Sequence, residues 1–258
     1  MTLIDTHIHL DGTEYDADRA EVILRAQAAG VEKMLVPAID LHSSEAIPVL
    51  CRKHPGVLYP MVGLHPEEVR ADWREVLAAI HPLITEEIIG IGEVGLDFYW
   101  SREYEKEQLE AFEEQVQWSV ETRLPLMIHC RKAQNEMVHI LQRYRKDLPG
   151  GVFHCFTGNR QEAEQLLAFE QFALGIGGVL TFKKSHLPEV LPWITAERMV
   201  FETDAPYMAP VPMRGKRNES AYLKHILSCA ATALAMPEEQ LADTTTQNVQ
   251  RIFGKLNY

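Results

Sequence analysis

The sequence predicts an α/β protein folded as a single (β/α)₈ TIM barrel. Short β-rich runs alternate with longer amphipathic segments about eight times along 258 residues, which matches the arithmetic of that barrel. No linker-like or low-complexity stretch interrupts the alternation, so we expect one domain over residues 1–258. A doubly wound open sheet is the main alternative. Its nucleotide-binding versions lose support because no G-x-G-x-x-G follows the first predicted strand and no G-x-x-x-x-G-K-[ST] occurs.

The β-rich runs are predicted to be strands, and the amphipathic segments between them are predicted to be helices. The predicted strands are Leu3 to His7, Lys33 to Pro37, Leu58 to Leu64, Ile88 to Leu96, Leu124 to His129, Gly151 to Phe156, Phe172 to Gly177 and Arg198 to Thr203. The predicted helices are Asp18 to Ala29, Ser43 to Lys53, Asp72 to His81, Arg102 to Thr122, Ala133 to Tyr144, Gln161 to Phe169 and, last, Ser220 to Ala235. Gly30 follows the first helix and Pro125 the fourth, as is typical where helices end.

Composition indicates an ordinary soluble protein. With 46% hydrophobic residues the chain can bury a large core, and no apolar run approaches the ~20 residues needed to cross a bilayer. The start MTLIDTHIH lacks the basic and continuous apolar regions of a signal peptide, so we expect a cytoplasmic protein with no membrane association. A net charge of −12 disfavours broad electrostatic wrapping of nucleic acid. No obligate protein partner is evident.

The four cysteines form no C-x-x-C pair and indicate reduced, mostly buried thiols. Cys130 and Cys155 each follow a histidine by one residue at the end of a predicted strand. Because neighbouring residues of a strand face opposite sides, we expect both thiols to pack outward and not to act as ligands.

Polar side chains gather where the predicted strands end, which is where barrel enzymes carry their chemistry. These residues are His7 and His9 after the first strand, His65 after the third, Glu93 in the fourth, His129 in the fifth, His154 in the sixth and Asp204 after the eighth. His7 and His9 are two residues apart and therefore face the same way, towards the barrel axis.

Several imidazoles and carboxylates directed into one volume need a common partner, and a shared metal centre supplies it. Closure of the barrel brings Asp204 beside His7 and His9, while the neighbouring fifth and sixth strands pair His129 with His154. Because this set is too large for one tetrahedral ion, we expect two divalent cations, bridged by Glu93. Hydrogen-bonded core histidines are the alternative interpretation of each residue taken alone.

Catalytic roles follow from such an ion pair. Two cations activate a water and clamp an ester undergoing displacement, so we assign catalysis to Glu93 and to Asp204 as general base. Glu202 and Asp5 lie one layer deeper and are expected to orient ligands or to support the fold. His65 either contacts substrate or caps the rim.

Basic residues follow the strand ends despite the acidic chain. They are Arg131, Lys132, Arg160, Lys183, Lys184 and the run Arg214-Gly215-Lys216-Arg217. A cationic rim above two metals favours a phosphate-bearing substrate, although ordinary solvated loop charges remain an alternative. Phe98, Tyr99 and Trp100 could stack on bases or could simply pack their loop.

Taken together, these motifs resemble the TatD family of metal-dependent hydrolases, within the amidohydrolase-like TIM barrels. The matching segments run in order from residue 4 to residue 253 and are IDTHIHLD, GLHP, IGEVGLDFYW, LPLMIHCRKA, HCFTG, ETDAP, RGKRNE and NVQRIF. The resemblance implies a barrel with a divalent-metal site and deoxyribonuclease activity, in some members trimming DNA from the 3′ end.

Residue by residue, the resemblance implies the metal ligands His7, His9, Glu93, His129, His154 and Asp204, in agreement with the strand-end positions. The sequence departs from the family pattern at Ile8, often Cys; at Cys130, often Ser; and at Ser220, usually Pro. The last departure lies in the loop that carries Arg217. We predict that Arg217, His65 and Arg131 contact the substrate.

We therefore predict a metal-dependent phosphodiesterase acting on DNA, on single strands or ends more than on intact duplex. A hydrolase of a small-molecule ester, amide or aminoacyl ester with the same metals is the alternative, and a metal-bound scaffold without catalysis is a third class. Histidine-rich ligation favours Zn, Mn, Co or Ni over Mg as the tightly held ion, although Mg could support activity from solution.

Overall fold

The computed structural model describes residues 1–257 and contains one sheet of eight parallel strands arranged in chain order. Each strand pairs with the next, from the first to the eighth. The strands are β1 Leu3–Asp5, β2 Val31–Pro37, β3 Leu58–Val62, β4 Gly90–Asp97, β5 Leu126–Arg131, β6 Gly151–Phe153, β7 Phe172–Ile176 and β8 Met199–Phe201.

Hydrogen bonds between the ends of β8 and β1 close the ring. The backbone N–H of Thr6 donates to the carbonyl of Phe201 at 3.1 Å, and that of His9 donates to Ala205 at 2.8 Å. Ile8 and Ala205 form a parallel bridge beyond the regular strands. The predicted barrel is confirmed, and the in-order ring excludes the doubly wound alternative.

Helices connect the strands and form the outer layer. They are α1 Arg19–Ala28, α2 Leu41–Arg52, α3 Trp73–Ile80, α4 Glu105–Thr122, α5 Gln134–Arg143, α6 Arg160–Leu167, α7 Leu187–Val190, α8 Leu223–Leu234 and α9 Glu238–Ile252. Asp40 caps α2 and Asn159 caps α6, and in each case the side chain of the third helical residue accepts the backbone N–H of the capping residue in return. These caps explain why the two helices begin slightly earlier than predicted. No predicted helix corresponds to α7 or α9.

The helix α9 covers the end of the barrel opposite the carboxyl ends of the strands. Val249, Ile252 and Phe253 pack against an apolar layer of strand residues that includes Ile4, Leu35, Met127 and Val200. Polar residues on its buried face hide the apolar period in the sequence. One of them, Asn248, is buried because its amide donates to the carbonyls of Ala196 and Met199, both at 2.8 Å.

Five strands, β1, β3, β6, β7 and β8, end earlier than predicted, and three of them stop shortly before predicted ligands. β1, β6 and β8 stop at Asp5, Phe153 and Phe201, so His7, His154 and Asp204 lie in the segments that follow. The backbone leaves the strand conformation there, with φ of 53° at Asp204. Aspartate tolerates this left-handed region better than most residues.

The prediction of one domain extends to Tyr258, which lies outside the described residues. Among residues 1–257, no helix is long and apolar enough to cross a membrane.

Candidate metal centre

The carboxylate of Glu93 is the centre of the polar cluster at the carboxyl end of the barrel. Glu93 lies within β4, where the pairing with β5 shifts register between Ile91 and Val94, and it is only 2% exposed. Its Oε2 atom lies 3.1 Å from Nε2 of His7 and 3.4 Å from Nε2 of His9. Its Oε1 atom faces different residues. The two oxygens of one carboxylate therefore serve two groups of side chains.

The first group joins the ends of β1 and β8. Nε2 of His7 and Nε2 of His9 lie 3.1 Å apart. Oδ1 of Asp204 lies 3.8 Å from the first nitrogen and 3.6 Å from the second. The backbone N–H of Asp204 donates to the carbonyl of His7 at 2.9 Å, so closure of the barrel sets this grouping directly.

The second group surrounds Oε1 of Glu93. Nδ1 of His129 and Nε2 of His154 each lie 3.0 Å from this oxygen, and Nε2 of His65 lies 3.3 Å away. The rings of His129 and His154 are 5.7 Å apart, as expected for neighbouring strands. His154 also stacks on His7 with ring centroids 4.0 Å apart, which links the two groups through a second contact besides Glu93.

The ring of His129 is held by Asp97 at the end of β4. Nε2 of His129 lies 2.9 Å from Oδ2 of the buried Asp97, so a neutral ring that donates this bond leaves a lone pair on Nδ1. Gly95 allows the two strands to approach, because a Cβ there would lie 1.9 Å from the carbonyl of His129. Asp97 lies in the segment IGEVGLDFYW, but no role was predicted for it from the sequence.

Glu202 lies beneath His154, inside the barrel. Its Oε1 atom is 3.4 Å from Nδ1 of His154 and accepts the backbone N–H of Cys155. Gly175 on β7 leaves room for this carboxylate, since a Cβ there would lie 2.2 Å from Oε2 of Glu202. Cys155 contacts Met208 in the loop after β8 and does not pack outward as predicted, whereas Cys130 packs against the core.

His65 differs from the other histidines in its hydrogen bonding. Its Nδ1 atom accepts the backbone N–H of Glu67 at 3.1 Å. In the neutral ring the proton must then be on Nε2, which faces Glu93. His65 is therefore arranged as a hydrogen-bond donor at the edge of the cluster.

Burial and mutual charge determine the ionisation of the central groups. Burial alone would raise the pKa of Glu93, but the imidazoles of His154, His7 and His65 lower it well below its ordinary value. Burial also opposes ionisation of Asp204, yet its contact with His9 keeps the pKa of this carboxyl below the usual range. Burial and the neighbouring His154 lower the pKa of His7. At neutral pH the cluster thus combines ionised carboxylates with a neutral His7.

Asp5 supports the junction of β1 and β8. Its Oδ1 atom accepts the backbone N–H groups of His7 at 3.2 Å and Thr203 at 3.0 Å. Its Oδ2 atom accepts the hydroxyls of Thr203 and Ser220, both at 2.6 Å. Ser220, where the family pattern usually has proline, therefore adds a hydrogen bond to the residue that holds the His7 backbone.

The predicted substrate-binding residues differ in where they lie. Arg131 ends β5 and stacks on the exposed Tyr99, with its Cζ atom 3.6 Å from the ring centroid. Arg217 instead points to Asp18, donating to both carboxylate oxygens at 2.8 and 2.7 Å. The structure thus brings His65 into the cluster and Arg131 to its rim, and it engages Arg217 in an ion pair with the segment before α1.

The other five predicted ligands gather around Glu93, four histidines directly and Asp204 through His7 and His9. Sequence reasoning missed two nearby residues. Asp97 could have been noticed because it ends β4 beside the aromatic run, in register with Arg131 two residues after His129. Tyr207 gives no comparable signal, since only the turn after Asp204 carries it to His9, with ring centroids 6.2 Å apart.

Comparison with known proteins shows the family of this chain. Residues 4–254 match the family described as TatD related DNase. An uncharacterized metal-dependent hydrolase, YabD of Bacillus subtilis (strain 168), is 37% identical over 97% of this chain and 98% of its own. A protein of Citrobacter rodentium (strain ICC168) named 3'-5' ssDNA/RNA exonuclease TatD is 36% identical over 98% of both chains.

The fold comparison agrees. The crystal structure of YJJV, a TatD homologue of Escherichia coli K12, superposes with a TM-score of 0.88 over 98% of both chains at 26% identity. The resemblance seen in the sequence motifs is confirmed. With a family match over nearly its whole length and relatives above 30% identity, this chain belongs to the TatD-related DNase family of metal-dependent hydrolases.

Proposed function

We propose that this protein hydrolyses phosphodiester bonds of DNA, in single strands or at strand ends, with two divalent cations that the residues around Glu93 would hold. The observation that carries the proposal is the division of the Glu93 carboxylate, with one oxygen facing His7 and His9 and the other facing His129 and His154. The relatives named as ssDNA/RNA exonucleases support a nucleic-acid substrate.

The spacing of the first group of donor atoms suits one cation. Ligand atoms bound to one tetrahedral ion stand about 3.4 Å apart. In the first group, the Nε2 atoms of His7 and His9 lie 3.1 Å from each other and 3.1 to 3.8 Å from the nearest oxygens of Glu93 and Asp204. Two imidazole nitrogens that face each other at 3.1 Å can share one proton at most, whereas a cation accommodates both lone pairs. His7, His9, Asp204 and Glu93 would hold one ion.

His129, His154 and Glu93 would hold the other ion. The hydrogen bond from His129 to Asp97 leaves Nδ1 free to ligate. Ligands made of imidazoles and carboxylates favour Zn, Mn, Co or Ni as the tightly bound metal. When bound, a pair of such cations lowers the pKa of a water and offsets negative charge on a phosphodiester undergoing displacement.

The protein side chains supply the rest of the chemistry. Asp204 is ionised and lies at the mouth of the cluster, so we assign it as the base that accepts the proton of the attacking water. Nε2–H of His65 is directed to donate to an oxygen of the substrate phosphate or of Glu93. Arg131 contributes positive charge at the rim, where a single strand would lie.

The test measures metal content and cleavage together. Purified protein would be analysed for bound metals and assayed on end-labelled single-stranded DNA, duplex DNA and a simple carboxylic ester. We expect metal-dependent cleavage of the single strand, with both metal and activity lost in Glu93→Ala and retained in Glu189→Gln, which changes an exposed carboxylate on α7. Hydrolysis of the ester alone would favour the small-molecule alternative, and undiminished cleavage by Glu93→Ala would overturn the mechanism.

A further inference from the structure

Two exposed aromatic groups flank the metal centre on opposite sides of the barrel. Tyr207 follows β8 and is 56% exposed, while Tyr99 and Trp100 follow β4 and are 50% and 66% exposed. In a ring of eight strands in sequential order, β4 and β8 are four strands apart and thus face each other across the axis. Large apolar rings left in solvent on both sides of one site indicate a ligand surface.

Contacts lead from each aromatic group to Glu93. On one side, the Tyr207 ring lies 6.2 Å from that of His9, and Nε2 of His9 is 3.4 Å from Oε2 of Glu93. On the other side, Oδ1 of Asp97 accepts the backbone N–H of Tyr99 at 2.8 Å, and Oδ2 faces His129. The two groups therefore lie at the two ends of one chain of contacts whose midpoint is the carboxylate of Glu93.

Both groups are held in position. Tyr207 donates its backbone N–H to Asp204 at 2.9 Å, and its carbonyl accepts the amide of the buried Asn218 at 2.7 Å. Tyr99 packs edge-on against Trp100 with centroids 4.8 Å apart. Arg131 covers the Tyr99 ring at 3.6 Å, which adds a planar cation to the same surface.

The chemistry of this surface suits nucleobases. Bases stack on aromatic rings and on guanidinium planes without sequence preference, while phosphates need positive charge between them. Phe98, by contrast, is 7% exposed and serves to pack its loop beneath Arg102. Of the aromatic run Phe98-Tyr99-Trp100, only the last two rings are available to a ligand.

Building on the phosphodiesterase function proposed above, we propose that the rim binds two consecutive nucleotides of single-stranded DNA, one on each side of the scissile phosphate. One base stacks on the surface formed by Tyr99, Trp100 and Arg131, and the other stacks on Tyr207. The phosphate between them then lies over Glu93. This arrangement explains preference for a flexible strand, since the two bases must separate to reach opposite sides of the barrel.

The experiment uses DNA dinucleotides, which contain a single scissile bond, in intact form and with either base removed. Tyr99→Ala and Tyr207→Ala are expected to lower kcat/KM on the intact dinucleotide by about 10-fold each. The loss caused by Tyr99→Ala should disappear when the base that stacks on Tyr99 is removed from the dinucleotide. The loss caused by Tyr207→Ala should disappear when the other base is removed. Tyr99→Phe and Tyr207→Phe keep the ring and should retain activity. Trp193→Ala, which removes another exposed ring, packed on Arg160, is the matched control.

The outcomes separate the inference from the function on which it rests. Equal penalties with and without the bases, or no penalty, would overturn the two-base arrangement while leaving the phosphodiesterase intact. If the wild-type protein cleaves no dinucleotide or oligonucleotide, the proposed function fails. Fluorescence anisotropy of labelled single-stranded DNA without added metal then decides the surface: weaker binding by both alanine variants supports it, and unchanged binding overturns it.

Discussion

Nε2 of His129 lies 2.9 Å from Oδ2 of Asp97, and the other nitrogen of the same ring lies 3.0 Å from Glu93. The first bond fixes which nitrogen faces the centre of the cluster. Asp97 thus sets both the orientation and the tautomer of a histidine that the proposed function makes a metal ligand.

Replacing Asp97 by asparagine should weaken the centre without unfolding the barrel. An amide accepts a weaker hydrogen bond than a carboxylate and can present its NH₂ group to the ring instead. We expect metal affinity and kcat/KM to fall by about 10–100-fold, measured by metal titration and by cleavage of single-stranded DNA. Asp243→Asn, on the exposed face of α9, should change neither. Wild-type metal affinity in Asp97→Asn would show that His129 needs no partner.

Removal of metal should destabilise the folded protein as well as inactivate it. The cluster brings several imidazoles and carboxylates together, and a cation bound only in the folded state stabilises that state. At a free metal concentration 100 times Kd, the gain is about 2.7 kcal/mol, seen as a rise in Tm when metal is added after chelation. Glu93→Gln should lose most of this rise. An unchanged Tm on adding Zn²⁺ or Mn²⁺ to the chelated wild type would contradict the prediction.

Changing Arg217 to alanine separates an ion pair from substrate binding. Arg217, with Arg25, lowers the pKa of Asp18 to about 2. Because the pKa of Asp18 is lowered in the folded state, its ionised carboxylate stabilises the folded protein at pH values above 3.8. This stabilisation is lost as the pH falls towards 2. The Tm difference between wild type and variant should therefore be largest above pH 4 and shrink below it. A variant with wild-type Tm at every pH but poor DNA cleavage would indicate that Arg217 contacts the substrate and does not stabilise the fold.

Gly175→Ala tests the carboxylate beneath His154. The added Cβ would lie 2.2 Å from Oε2 of Glu202, so Glu202 or the strand must move. Overpacking of this kind costs about 1–3 kcal/mol, measurable by denaturant unfolding. Gly254→Ala is a suitable control because nothing lies within 4 Å of its Cβ position. Equal stability of the two variants would mean that the interior of the barrel has more freedom than these distances indicate.

The sequence predicts the barrel and the meeting of the six polar residues because both follow from local pattern plus one topological rule. Histidines and acids interrupt apolar runs at the carboxyl ends of successive strands, and closure of the ring brings them together. The two oxygens of Glu93 face different groups of side chains at a register shift in β4, and no residue type in the sequence indicates such a shift. The stacking of His154 on His7 likewise depends on the three-dimensional path of the chain.

Longer-range pairings escaped prediction for the same reason. The ion pair of Arg217 with Asp18 could not be predicted, because the two residues are 199 positions apart in the sequence. The helix α9 was missed because Thr245 and Asn248 are polar yet buried, the first bonding to its own helix and the second to carbonyls outside it. Polar residues inside a protein can be identified only when their partners are known.

The position of α9 over one end of the barrel affects how the nascent chain folds. Once residue 201 has been synthesised, every strand exists, yet the helix that covers Ile4, Leu35 and Val200 has not been made. Until residues 238–256 leave the ribosome, this apolar layer of strand residues stays exposed to water and to other chains. Complete burial of this apolar layer therefore requires that α9 has been synthesised and has docked on the barrel.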